Sequence, residues 1–258
     1  MIEELREIVR YRELLTQLVV RNILVRYKRS VLGLAWTMLN PLLMMTILTV
    51  VFSNIFRVAT VHYPVYVLSG LILWNFFSQT TLTGMTELLW GSGLLQRIYI
   101  PRTVFVLAAV GTGIVNLLFA LIPLVIIMLL TGVPLSLALV FLPVPIVLTA
   151  MFAAGSALVL SILAISFVDL VDIYQVALTA WLYLTPIIYP KEIVPISLQW
   201  LFRLNPIYYF LELFRVPVYS ATLPTLDTLL PASVLAVGML VLGWWVFTRN
   251  ADGLAYRT

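Results

Sequence analysis

Cysteine is absent from this 258-residue sequence, and histidine occurs once, as His62. Without thiols there is neither a disulfide framework nor a thiolate metal site, and one imidazole is too few for a histidine-built metal centre. Charge is also scarce: Asp, Glu, Lys and Arg together supply 10% of the residues, against about 25% in a soluble domain. The only lysines are Lys28 and Lys191. Neither sits in the Gly-x-x-x-x-Gly-Lys-Ser/Thr setting that cradles nucleotide phosphates. The chain is therefore expected to carry no cofactor and not to be an enzyme that hydrolyses nucleotide. The folded basic patch that nucleic acids require is missing too, so no nucleic acid is expected as a partner.

What is present is apolar, at 62% of the chain. One core cannot hide that excess, because even a domain of about 300 residues leaves roughly a quarter of its unfolded-chain surface in solvent. The remaining solvent is lipid, in which a helix needs about 20 apolar residues to cross. The apolar runs are continuous rather than alternating, which excludes a strand barrel. The expected fold is an all-α integral membrane protein with six transmembrane helices over 32–56, 65–89, 103–130, 135–165, 173–188 and 229–247. Pro41, Pro143 and Pro145 are expected to bend the first and fourth. Thr131, Gly132, Val133 and Pro134 read as a turn.

Residues 1–30 are expected to form an amphipathic interface helix region, distinct from the transmembrane domain of 31–258. Ile2, Leu5, Ile8 and Val9 recur at helical spacing, continued by Leu14, Leu15, Leu18 and Val19. Residues 189–228 hold no 20-residue run, being interrupted by Pro190, Pro195, Pro206, Pro217 and Pro224. They suit short re-entrant helices between spans five and six. Six spans place both termini on one side. With that side inside, the inner segments hold Arg6, Arg10, Arg12, Arg21, Arg26, Lys28, Arg29, Arg97, Arg102, Arg249 and Arg257, eleven of the fifteen basic residues. The positive-inside rule then makes the termini cytosolic.

Polar residues within the spans are few and placed at intervals. Asn75, Gln79, Thr83 and Glu87 are four apart, which on a helix makes one stripe about three turns long. Facing hydrocarbon would be costly, so the stripe faces protein or a wet path. Interhelical hydrogen bonding and a lining for a polar substrate both fit. Gly111 and Gly113, with Ala153 and Ala157, read as close helix contacts. The rings Tyr189, Trp200, Phe202, Tyr208 and Tyr209 fit either an interfacial belt or a stacking path for sugars. Arg21, Arg26, Lys28 and Arg29 fit either attraction to anionic membrane lipid or contact with the phosphates of a lipid-linked substrate. The acids lie at span ends or in loops, unlike those of ion-coupled carriers. A transporter of this composition needs energy from another subunit.

Four stretches then resemble the ABC type-2 permeases that export polysaccharides. They are LVRYKRSVLGLAW at 24–36 with LNPLL at 39–43, LLQRIYIPR at 94–102, LTPIIYP at 184–190, and NPIYYFLELFR at 205–215. The resemblance implies two copies of this chain forming a channel, with two copies of an ATP-binding cassette ATPase subunit, carrying ATP and Mg, docked below. It implies a substrate such as O-antigen or teichoic acid, a polysaccharide on a polyprenyl diphosphate lipid, and the bacterial cytoplasmic membrane as the location. Gln96, Arg97, Tyr99 and Arg102 match the region that couples to the ATPase. For such a substrate, Arg26, Lys28 and Arg29 of the basic cluster are the candidates to meet the lipid diphosphate. Rings that guide the sugar chain would be Trp36, Tyr66, Trp74, Phe77, Tyr189 and Tyr208. The rival classes are a type-2 exporter of a small molecule or lipid, and a membrane-embedded lipid-modifying enzyme.

Overall fold

A computed structural model describes residues 10–28, 30–52, 61–90 and 102–251. Among these residues there are nine α-helices and no strand. They are α1 (Arg12–Tyr27), α2 (Ala35–Val50), α3 (Tyr63–Trp90), α4 (Thr103–Thr131), α5 (Pro143–Ser166), α6 (Leu170–Leu184), α7 (Trp200–Leu204), α8 (Pro206–Arg215) and α9 (Leu226–Ala251). Three helical stretches, Thr103–Thr131, Leu137–Ser166 and Leu226–Asn250, are long and apolar enough to cross a membrane. The 28-residue α3 is long enough, at about 42 Å by helical rise, but its polar stripe dilutes its hydropathy. Helices α2 and α6 are apolar but shorter.

Local chemistry sets the helix ends. Thr131 is followed by Gly132 in the left-handed region, φ 77°. The Val133 amide donates to the Met128 carbonyl at 2.9 Å, closing the helix with the glycine-dependent cap that a residue bearing Cβ disfavours. The bend near Pro143 is present: a short 3-10 helix, Leu137–Phe141, precedes α5, which starts on Pro143. A proline at the first helical position costs no hydrogen bond. The helix expected over 173–188 instead ends at Leu184. Thr185 precedes Pro186 and is extended, φ −101° and ψ 136°, because a proline ring clashes with a helical conformation in the residue before it. Pro41 does not end α2; it lies buried within it.

Helix α3 is the axis of the molecule. Phe52, just past α2, stacks on Tyr63 at the start of α3, and Trp36 and Asn40 lie beside Asn75 and Gln79. Helix α2 therefore runs antiparallel to α3. Helix α4 also runs against it, with Gly113 beside Thr80 and Val106 beside Gly84. Helix α5 runs with it, Phe152 meeting Phe77 and Ala157 meeting Gly84. Helix α6 runs against it, from Tyr174 at Thr81 to Trp181 at Trp74. Helix α9 lies along α5 in the same direction, from Met239 and Gly243 at Gly155 to Phe247 beside Ile162. Six long helices thus alternate in direction.

Small residues permit these approaches, as expected at Gly111, Gly113 and Ala157. A Cβ on Gly111 would stand 2.9 Å from Val19, and one on Gly84 2.9 Å from Ala157. The backbone-on-backbone approach between Gly155 and Gly243 had no counterpart in the sequence reading. Of the expected amphipathic face, Leu14, Leu15, Leu18 and Val19 pack on Val104, Phe105 and Ala108, while Arg12, Glu13, Thr16 and Gln17 are exposed. Its earlier part, Ile2, Leu5, Ile8 and Val9, lies outside the described residues.

Candidate functional site

Between Val65 and Leu88, α3 buries every side chain except seven: Asn75, Ser78, Gln79, Leu82, Thr83, Thr86 and Glu87. The four residues of the polar stripe are all among them. Four neighbouring helices close the rest of the helix circumference. Helix α2 meets it at Ile72, Phe76 and Gln79, helices α4 and α5 at Thr80 and Gly84, and α6 at Trp74, Phe77 and Thr81. At 100° per residue, Asn75, Ser78, Leu82 and Thr86 fall in the gap between α2 and α6, whereas Gln79 and Thr83 lie on the α2 side and Glu87 turns toward α1. The central helix therefore turns its polar side to a cleft, not to the core.

Part of this face lines a cavity of about 110 Å³ among α2, α3 and α4. Thr37, Asn40, Asn75, Gln79 and Asn116 supply uncharged polar groups there, and Trp36 forms part of its wall. The space exceeds the 10–15 Å³ that one water needs. Asn116, which also lines the cavity, has its Oδ1 buried without a hydrogen-bond partner. Thr81 and Thr86 need no outside partner, because their hydroxyls donate to the carbonyls of Phe77 and Leu82 at 3.0 and 2.9 Å. The lower end of the stripe does bond between helices: Asn22 Nδ2 of α1 donates to Glu87 Oε1. Interhelical hydrogen bonding thus occurs at Glu87, while Asn75 and Gln79 line the cavity.

The six aromatic candidates fall into different surroundings. Trp36 is 45% exposed, whereas Tyr66, Trp74 and Phe77 are 8%, 6% and 1% exposed. Trp74 and Phe77 pack edge-on to Trp181 at 6.2 and 5.6 Å between centroids, so in this structure they are core. Large rings gain most from full desolvation, which is why they fill the α3–α6 junction. Tyr189 and Tyr208 are half-buried. Burial pushes the Tyr208 phenol above its ordinary value, and Glu212 pushes the same way. Beside them, Lys191 Nζ lies 3.7 Å from Glu212 Oε2. Burial is the largest single influence and opposes the Lys191 charge, but Glu212, Tyr208 and Glu192 together outweigh it and raise the ammonium above its usual range.

The segment after α6 is a string of short helices, from Lys191–Ile193 to Val216–Ser220. Asn205 organises it. Its Oδ1 caps α8 by accepting from the Ile207 amide at 3.1 Å and also accepts from Trp181 Nε1 at 2.8 Å. Its Nδ2 donates to Thr185 Oγ1 at 2.8 Å. Asn at the cap with Pro at the next position is a favourable helix start. Asn205→Ala is expected to lower stability by about 2–4 kcal/mol, a lost cap plus unsatisfied buried partners. Asn205→Asp keeps the cap acceptor but loses the donor to Thr185, so its cost is smaller. Thermal melts of the detergent-solubilised protein check the ranking.

The remaining candidates are on or beyond the edge of the described structure. Arg102 is half-buried at the N-cap of α4; Gln96, Arg97 and Tyr99 lie outside the described residues, as does Arg29. Lys28 is exposed at the C-terminal cap of α1, and Arg26 lies within that helix, although its side chain is not described. The reading of sequence missed Asn205, Trp181 and Arg215. An arginine in the otherwise apolar run at 213–218 was the available signal, since such a charge needs partners.

Residues 13–219 match the family model of the ABC-2 type transporter. The chain is 27% identical over 257 residues, 99% of each partner, to a protein of Myxococcus xanthus named "O-antigen export system permease protein RfbA". A protein of Klebsiella pneumoniae with the same name is 26% identical over 196 residues, 76% of each chain. A second Klebsiella pneumoniae protein of that name is 25% identical over the same length.

Proposed function

The chain belongs to the ABC-2 type transporter family, and from that premise we propose that it is the permease subunit of an ATP-binding-cassette exporter that moves a polysaccharide out through the cytoplasmic membrane. The observation that carries this reading is the polar face of α3, left open on an otherwise buried helix. Uncharged amides and hydroxyls suit a hydroxyl-rich polymer, because they exchange hydrogen bonds with sugars and water alike. No acid sits midway along a long helix to serve an ion gradient, so energy comes from a separate ATP-binding subunit.

In this reading α2, α3, α4, the helical stretch to Ser166, α6 and α9 are the six spans, with α2 and α6 short enough to leave their ends at the interface. Both termini are cytosolic, and the segment after α6 is re-entrant on the outer side. Two copies of the chain face each other across the clefts between α2 and α6, and two ATP-binding subunits, carrying ATP and Mg, dock against Gln96, Arg97, Tyr99 and Arg102. The substrate is a lipid-linked polysaccharide, O-antigen-like or teichoic-acid-like, whose diphosphate meets Arg26, Lys28 and Arg29. Trp36, Tyr189 and Tyr208, the candidates that are not core, are the rings left to touch sugar.

Affinity purification of the solubilised chain from its own cells tests this. An ATPase subunit is expected to copurify, and deletion of the chain is expected to trap lipid-linked polymer on the cytosolic side. A chain purified without any ATPase, in cells whose surface polymer is unchanged by the deletion, overturns the reading. Arg97→Glu separates the docking assignment: assembly is expected to fail, and intact assembly with intact export would place the coupling contact elsewhere.

A further inference from the structure

After α6 ends, four consecutive carbonyls, from Pro186 to Tyr189, accept hydrogen bonds from side chains of other elements. Tyr63 Oη donates to Ile188 O at 2.7 Å, and Tyr66 Oη lies 3.1 Å from both Pro186 O and Tyr189 O. Arg215 Nη1 donates to Pro186 O at 2.8 Å and Nη2 to Ile187 O at 3.3 Å. The Arg215 guanidinium also lies 3.8 Å from the centroid of the Tyr66 ring. Arg215 is 3% exposed, and its Nε has no partner. Gly70 makes the room: a Cβ there would stand 2.6 Å from Arg215 Nη2. One arginine thus ties α8 and the break after α6 to the first turns of α3.

We propose that Arg215 is the latch holding the outer end of the transporter closed at rest. The assignment rests on the export reading above. A cation buried on carbonyls and a ring, with no carboxylate bridged to it among the described residues, gains less than a buried ion pair and leaves one N–H unsatisfied. Such a clamp closes without locking. When the segment after α6 swings away from α3, the four carbonyls and the guanidinium pass to water, which pays for their release only if water fills the path. Closed is therefore the dry state and open the wet one, a two-state element that the export cycle can bias. Arg215 acts through the segment it holds and is a positioning residue.

The test is passive leak. The complex of this chain with its ATP-binding subunit is reconstituted into liposomes loaded with carboxyfluorescein, without ATP. Arg215→Lys keeps the charge but not the planar fork that spans two carbonyls over a ring. Gly70→Ala keeps every polar group and displaces the guanidinium. Both are expected to release dye about tenfold faster than the unaltered complex, the population shift from losing one charge-assisted hydrogen bond. Tyr66→Phe, the mildest change, decides if the other two fail to assemble, and is expected to leak in the same direction. Assembled variants that melt at lower temperature yet hold the dye as tightly as the unaltered complex overturn the latch. Copurification of the ATP-binding subunit in the same preparations tests the underlying export reading separately.

Discussion

Tryptophan in place of Gln79 or Thr83 is expected to reduce polymer export by about tenfold or more while leaving the complex assembled. Both side chains are half-buried, Gln79 in the wall of the cavity beside α2, so an indole there can fill open space without displacing the core. A rise of about 1.4 kcal/mol in the barrier to passage gives that factor of ten, and an obstructed path raises it more. Thr83→Val is the control. It keeps the shape and removes the hydroxyl, so a lining role predicts a small change and a hydrogen-bonded packing role a larger one. Surface polymer per unit of permease in the membrane is the measurement. Export unchanged at normal membrane levels would leave the stripe as packing alone.

Gly155→Ala is expected to produce the largest loss of stability available from a single methyl group. An added Cβ would overlap the carbonyl of Met239, and one on Gly243 would overlap the carbonyl of Gly155. Backbone cannot rotate aside as a side chain can, so α5 and α9 must separate. Overpacking typically costs about 1–3 kcal/mol, here increased because the seam joins two rigid helices along their length. Total stabilities are about 5–15 kcal/mol, so the variant is expected to melt well below the unaltered protein and to accumulate poorly. Gly238→Ala supplies the contrast: nothing lies within 4 Å of its added Cβ, and helix propensity favours Ala by up to about 1 kcal/mol. Melting in detergent should therefore fall for Gly155→Ala and stay level or rise for Gly238→Ala.

Much of the candidate site was legible because it depends on local periodicity. Residues four apart share a helix face wherever the helix lies, so the stripe from Asn75 to Glu87 could be drawn before any packing was known. The turn at Gly132 and the bend at Pro143 were legible for the same reason, each set by the φ that one residue permits. The end of α6 was misplaced by four residues because apolar character continues to Ile188, while the backbone obeys Pro186. The aromatic candidates divided for a different reason. Nothing local distinguishes Phe77, packed against Trp181, from Trp36, open on α2.

Scarcity of charge and the continuous apolar runs by themselves determined that this chain is helical and suited to lipid. Those properties follow from composition and spacing, which no folding can alter. Tertiary structure alone decided which face of α3 stays open, which rings are core, that Gly155 and Gly243 touch through backbone, and that Arg215 closes on carbonyls released by a proline nearly thirty residues earlier. Each of these depends on atoms distant in sequence meeting at a few ångströms, and only the packing of one helix against another sets that distance.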